Sequence, residues 1–188
     1  MIIKLTDHDT CILIAGFREV KVKDVKQFFQ AINEKTGDAC TQFFDASLVA
    51  GWEHLYFAAL NALNAFKSKL CISSSLAMET LLYASAQRQI KDAVNLIGIK
   101  PSTQKVAVLV CAKTLEQAKA VLNTVSRLLG GTADDSVVEL TDDKTAGLMG
   151  LFNISTLELE AKMERKGSEK QALSDLVIEH VALLVTKR

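Results

Sequence analysis

The chain is most informative first in what it is short of. There is one proline in 188 residues, Pro101, and no Ser/Gly-rich linker, internal repeat or low-complexity tract. Nothing therefore marks a joint between separately folding parts, and the length fits one domain spanning residues 1–188, able to bury roughly 70% of its unfolded surface. Net charge is absent too: 22 basic residues balance 22 acidic ones. A long-range field toward nucleic acid or membrane is thereby excluded, and any such contact must come from a local patch. No stretch reaches the ~20 apolar residues of a membrane-spanning helix. The start, MIIKLTDHDT, lacks the basic-then-apolar order of a secretory leader. The four cysteines (Cys11, Cys40, Cys71, Cys111) are scattered, with no CxxC. Three of them sit in apolar, strand-like runs where a thiol acts as a small hydrophobe, which reads as a reduced, cytoplasmic protein without disulfides.

Chemical motifs are equally sparse. No phosphate-cradling glycine loop is present, and Gly130-Gly131 follows a helical segment rather than opening one. His8, His54 and His180 have no His or Cys neighbours at metal-ligand spacing. Ser73-Ser74-Ser75 lacks a nucleophile elbow and reads as a source of helix caps. The sequence thus points to no enzyme, no metal, no cofactor and no small-molecule substrate.

What is present is a regular alternation of patterns. IIKLT and CILIAGF read as a hairpin about Asp7–Thr10, CTQFFDA, KVAVLVC and SVVEL as further strands. VKDVKQFFQAINEKTG, WEHLYFAALNALNAFKS and TLEQAKAVLNTVSRLLGG read as helices, followed by TDDKTAGLMGLF, STLELEAKMERK and EKQALSDLVIEHVALLVTK. The expected fold is α/β in the α+β sense, a mixed, largely antiparallel sheet packed with several helices.

One stretch asks for more than packing. METLLYASAQRQIKDAVNLIGIK, residues 78–100, wound as one helix, lines up Tyr83, Ala86, Ile90, Ala93, Val94 and Ile97 on an apolar stripe. Glu79 falls within that stripe, and Arg88 projects from roughly the opposite side. A buried carboxylate without a partner costs several kcal/mol, so Glu79 requires hydrogen-bond donors or a cation. Nine residues along a straight helix is half a revolution, so Arg88 cannot serve. Either the helix breaks near Ser85-Ala86, or the two residues serve different surfaces. His180, on the apolar stripe of the last helix, is either a satisfied core histidine or part of a docking face.

These residues resemble a family. Asp45, Ala46, Gly51, His54, Leu55, Ala58, Ala62 and Ala65, then Ser73, Leu76, Glu79, Leu81, Leu82, Tyr83, Ala84, Ser85, Arg88, Gln89, Ile90, Ala93, Gly98, Ile99 and Lys100, follow the pattern of the TPRKB-like smallest subunits of the KEOPS (EKC) complex. LVIEHVALL resembles that family's C-terminal helix. Two positions depart from it. Ala86 stands where glycine is common, which favours a continuous helix, and His180 stands where an arginine is expected.

The resemblance implies a non-catalytic subunit that binds and stimulates a kinase-like ATPase. It implies a role beside threonylcarbamoylation of the adenosine next to the anticodon, and, as in archaeal members, a hold on the tRNA 3′ CCA end. On that picture Arg88 and Gln89 would meet phosphates and base edges, with Lys91, Lys100 and Ser73 as additions. The ATPase would dock on Val177, His180, Val181 and Leu184 with Leu82 and Ser85, unless these are simply core. The rival reading is a purely protein-binding adaptor of a small atypical kinase with no RNA role.

Overall fold

In the computed structural model, which describes residues 1–37 and 39–186, the chain forms two compact units. One comprises Met1–Ala46 and Gly98–Val137, the other Ser47–Ile97 and Val138–Arg188. Each unit takes two separated chain segments.

The first unit is built on a sheet. Strand β1 (Ile2–Leu5) pairs with β2 (Thr10–Arg18) across a short 3-10 turn, β2 pairs with β4 (Val106–Ala112), and β4 pairs with the edge strand β3 (Cys40–Asp45). A two-residue strand, β5 (Thr132–Ala133), adds to the end of β2. Every pairing among the described residues is antiparallel. Strand β4 is buried along its whole length, which is why its sequence is an unbroken apolar run rather than an alternation.

On one face Leu13, Ala15, Phe17, Phe43, Val106, Val108 and Val110 form a core with Phe28 and Ile32 of helix α1 (Val25–Thr36) and Val121, Val125 and Leu129 of α5 (Leu115–Leu129). Helix α1 begins at Val25 because the Asp24 carboxylate accepts from the Gln27 amide, leaving Val22 buried ahead of the helix. Gly16 is a close-approach position: a Cβ there would lie 2.6 Å from Val137 Cγ2 and against the Asp134 carbonyl.

The segment Ser136–Leu140 is not a strand. Asp134 accepts from both the amide and the hydroxyl of Ser136, at 3.1 and 2.6 Å, and Asp135 accepts from the Gly16 amide at 2.9 Å. The local bonds of Asp134 to Ser136, with the long-range hold of Gly16 on Asp135, fix Asp135–Val138 as a 3-10 turn, so side-chain hydrogen bonding overrides the β-branched pair.

The second unit is helical: α2 (Trp52–Lys67), α3 (Leu76–Ser85), α4 (Ile90–Ile97), α6 (Asp142–Phe152), α7 (Thr156–Lys162) and α8 (Glu169–Ala182), the last continued by a 3-10 turn over Leu183–Thr186. Lys187, the predicted end of the last helix, lies outside the described residues. No described helix is long and apolar enough to cross a membrane. Helix α2 packs on α3 and α8, and α8 on α6 and α7. Gly51, at φ 108°, turns the chain into α2 in a conformation that residues with a Cβ rarely adopt.

The start of α2 is held by a buried polar bracket. The Ala50 amide donates to Nδ1 of His54 at 3.2 Å, which leaves Nε2–H to donate to the Ala84 carbonyl at 2.8 Å. The Ser174 hydroxyl donates to the Ala50 carbonyl at 3.0 Å. One neutral imidazole and one hydroxyl therefore satisfy backbone groups of α2's entry and α3's end that no helix ladder uses.

Burial lowers the His54 pKa from 6.5 to about 4, with the bond to Ala84 opposing weakly. The unfolded chain binds a proton in this interval and the folded chain does not, so stability falls as pH drops below 6.5 and the loss is complete near pH 4. Between pH 7.5 and 4.5 this one group should remove about 2–3 kcal/mol. Titration of the His54 ring by NMR is expected to show a midpoint near 4; a midpoint at the ordinary histidine value would contradict the bracket.

Candidate partner and nucleic-acid surface

The stretch from 71 to 100 is two helices, not one. At its start the Glu79 side chain is fully buried, yet its carboxylate is satisfied. It accepts from the Ile72 amide with both oxygens, at 3.1 and 3.0 Å, and from the Ser73 amide at 2.7 Å. The acid therefore folds the incoming loop onto the first turn of its own helix through charge-assisted bonds. Ser75 caps α3 by accepting from Met78, and the Ser73 hydroxyl accepts from Ser75. Ser73 is buried and serves this loop, so the structure corrects its assignment as an RNA-facing donor.

Helix α3 stops at Ala86, which sits in the left-handed region at φ 50°, ψ 31°. The Ala86 amide donates to Tyr83 at 2.9 Å and the Gln87 amide to Leu82 at 3.1 Å, the paired bonds of a Schellman stop. An alanine there costs about 1–2 kcal/mol relative to a right-handed conformation. Its methyl is buried with Ala50, Leu148, Phe152, Leu173 and Val177, which offsets part of that cost. The continuous helix expected from alanine's propensity is therefore replaced by a corner, and α4 restarts when the Gln89 carbonyl accepts from Ala93 at 3.0 Å.

The corner decides what faces solvent. Arg88, Gln89, Ile90 and Lys91 are consecutive exposed positions at the start of α4, Ile90 at 45%, with Val94 exposed beside them at 39%. Free amides of a helix start favour anions, and two cations add to that, with Asp92 in the first turn opposing. Inside the same corner burial raises the Tyr83 pKa, the negative Glu79 raises it further and the positive Arg88 opposes. Lys100 is exposed as well, but it belongs to the other unit. There its amide donates to Thr103 Oγ at 3.0 Å, and the Thr103 hydroxyl donates to Asp45 at 3.2 Å.

The predicted docking residues are placed differently. Leu82, Val177, Val181 and Leu184 are fully buried, and Ser85 is buried with its hydroxyl donating to the Leu82 carbonyl at 3.1 Å. Val177 packs with Leu148, Phe152 and Leu173 of its own unit. These five are core, because the i, i+3, i+4, i+7 stripe is the face that a helix turns toward its own neighbours. His180 is half-buried, its ring 6.0 Å from that of Phe152. The apolar surface at this end is instead Leu183 and Val185, 45% and 57% exposed. Their signal in the sequence was the over-long apolar run VALLV, which exceeds what one stripe can bury.

Residues 17–184 match the family described as "Kinase binding protein CGI-121". The chain belongs to that family. It is also 34% identical over 113 residues to "Regulatory protein Cgi121" of Methanocaldococcus jannaschii, a match covering 60% of this chain and 70% of that protein. The family toward which residues 45–100 and 173–184 pointed is therefore the one found. The residues that carried the resemblance are mostly framework: His54, Leu55, Ala58, Ala62, Glu79, Leu81, Leu82, Tyr83, Ala84 and Ser85 are all buried. Arg88, Gln89, Ile90 and Lys100 are those among them that face solvent.

Replacing Glu79 with alanine strands the Ile72 and Ser73 amides, and should cost about 2–4 kcal/mol in denaturant unfolding. Glu79→Gln, which keeps one acceptor oxygen, should cost roughly half as much. A loss under about 1 kcal/mol for the alanine variant would show that the carboxylate does not hold the loop.

Proposed function

We propose that this chain is a non-catalytic accessory subunit of the KEOPS complex. In this role it binds and stimulates the kinase-like ATPase subunit, and helps recruit tRNA by its 3′ CCA end for modification of the adenosine beside the anticodon. The family match over residues 17–184 carries the reading, since that family is described by its binding to a kinase. The name of the Methanocaldococcus jannaschii relative, a regulatory protein, supports the same role.

The RNA part of the proposal rests on the α3–α4 corner. Arg88, Gln89 and Lys91 are exposed together where the chain turns, and a single-stranded end offers both phosphates and open base edges to such a group. The neighbouring Ile90 and Val94 supply apolar surface on which an unstacked base can rest. The ATPase would dock on apolar residues that remain free on the folded unit, Leu183 and Val185 beside the half-buried His180, rather than on the core stripe behind them.

A second reading, a protein-binding adaptor without RNA, is favoured by the balance of 22 basic against 22 acidic residues. Gel-shift of the purified chain with tRNA, intact and lacking its CCA, at two salt concentrations, separates the two. The proposal predicts binding that needs CCA and weakens as salt rises. It also predicts that Arg88→Glu lowers affinity by about tenfold or more without loss of folded structure. Failure to retain either RNA, with the ATPase subunit still bound in a pull-down, would leave the adaptor reading in its place.

A further inference from the structure

Two of the four cysteines are brought together by strand register, which neither the family description nor the proposed role uses. Cys40, the first residue of the edge strand β3, lies directly opposite Cys111 of β4. Directly opposed residues of an antiparallel pair project from the same face, with Cα atoms about 4.5–5.5 Å apart. A disulfide accepts Cα separations of roughly 4.4–6.8 Å, so either kind of antiparallel pair can be bridged without moving the strands. The remaining cysteines are excluded by the same geometry. Cys11 lies opposite Ala112, one position out of register with Cys111, and therefore projects from the other face. Cys71 belongs to the other unit, exposed in the loop ahead of α3.

We infer that Cys40 and Cys111 form a reversible, oxidisable dithiol, a modification site that closes to a cross-strand disulfide in the presence of a small-molecule disulfide such as oxidised glutathione. The division of labour follows from exposure. Cys40 is half-buried at the sheet edge, where a small oxidant can reach it, and Cys111 is buried behind it. The Cys40 thiolate attacks one sulfur of the glutathione disulfide, forming a mixed disulfide and releasing one glutathione thiolate, which takes up the proton Cys40 lost. Cys111, on losing its own proton, then attacks the Cys40 sulfur, and the second glutathione leaves and takes that proton. Two electrons pass from the protein to the small disulfide, and two glutathione thiols are the product.

A contact between the two thiols is already present in the reduced protein. The side-chain hydrogen bond with Cys40, together with burial, raises the Cys111 pKa well above its ordinary value. This keeps Cys111 protonated at rest and makes its attack, the closing step, slow, which suits a thiol pair that stays reduced under ordinary conditions. Once closed, the bridge would tie the free edge of the sheet to its buried strand and enclose a loop of roughly 70 residues.

The test uses the purified full chain with Cys71→Ser, to suppress links between molecules. The protein is equilibrated with reduced and oxidised glutathione at increasing oxidised fraction, quenched with an alkylating agent under denaturing conditions, and read by intact mass and peptide mapping. The inference predicts loss of two alkylatable thiols and of two hydrogen masses, a Cys40–Cys111 linked peptide, and a Tm raised by about 5–10 °C. Cys40→Ser should abolish all three changes, and Cys11→Ser should leave them intact. Mapping on the chain with its other cysteines in place does not depend on either variant folding. Retention of all thiols, arrest at a glutathione adduct, or a link involving Cys11 would each overturn it.

Discussion

The helical unit depends on a carboxylate that accepts backbone amides in the dark of the protein. Glu79 has no accessible surface, and its oxygens take the amides of Ile72 and Ser73, two residues that belong to no helix or strand. Without that acceptor the loop after α2 would leave donors unsatisfied next to the apolar core. His54 and Ser174 do the same work at the other end of α3, where they satisfy Ala84 and Ala50. Between these two brackets α3 is fixed at both ends by side chains rather than by its neighbours' apolar contacts alone. The corner that follows can then be a tight stop on an alanine at positive φ, a conformation the rest of the unit has to hold in place.

This division separates what the family pattern encodes from what the surface does. A buried acid, a buried imidazole and a ladder of alanines make α2 and α3 fit, and none of them can touch a partner. Arg88, Gln89 and Lys91 are displayed because the Ala86 stop redirects the chain outward. A hold on an RNA end needs only a few such donors, since charge-assisted bonds to phosphate add to whatever stacking the apolar neighbours give. Zero net charge is compatible with that economy. If the chain holds RNA as proposed, its affinity would be confined to the corner and would respond steeply to a single charge reversal there.

Much of the architecture was legible from pattern alone. The hairpin, β3, β4, α1, α2 and the last helices follow from alternation, helical spacing and glycine stops, because in those segments local preference and burial agree. The failures occur where they disagree. Across residues 78–100 the sequence leaves open a continuous helix or a break near Ser85-Ala86, with alanine in place of the family's glycine favouring the first, yet the buried methyl of Ala86 and two Schellman bonds decide for the break. Residues 136–140 carry β-branched apolar side chains, but Asp134 captures the amide and hydroxyl of Ser136 and Asp135 is held by the distant Gly16 amide. For the docking residues, the alternative that they are simply core is the one their burial fits. An apolar stripe marks the buried face of a helix, so Val177, Val181 and Leu184 identify the core and point away from any partner. At this end of the helix the surplus beyond the stripe, Leu183 and Val185, is the apolar surface that stays exposed. Ser73 was misplaced because a serine triplet does not reveal which hydroxyl turns inward.

The hold of Glu79 on the loop is exerted at the amides of Ile72 and Ser73. Hydrogen exchange at these two positions, measured residue by residue by NMR on the wild-type chain, distinguishes a bracketed loop from a free one. If Glu79 holds them, both exchange slowly, at a rate approaching that of opening the α2–α3 core, although Ile72 itself has an exposed side chain. Exchange at the rate of an unprotected loop would contradict the bracket, and with it the reason given for the corner that presents Arg88.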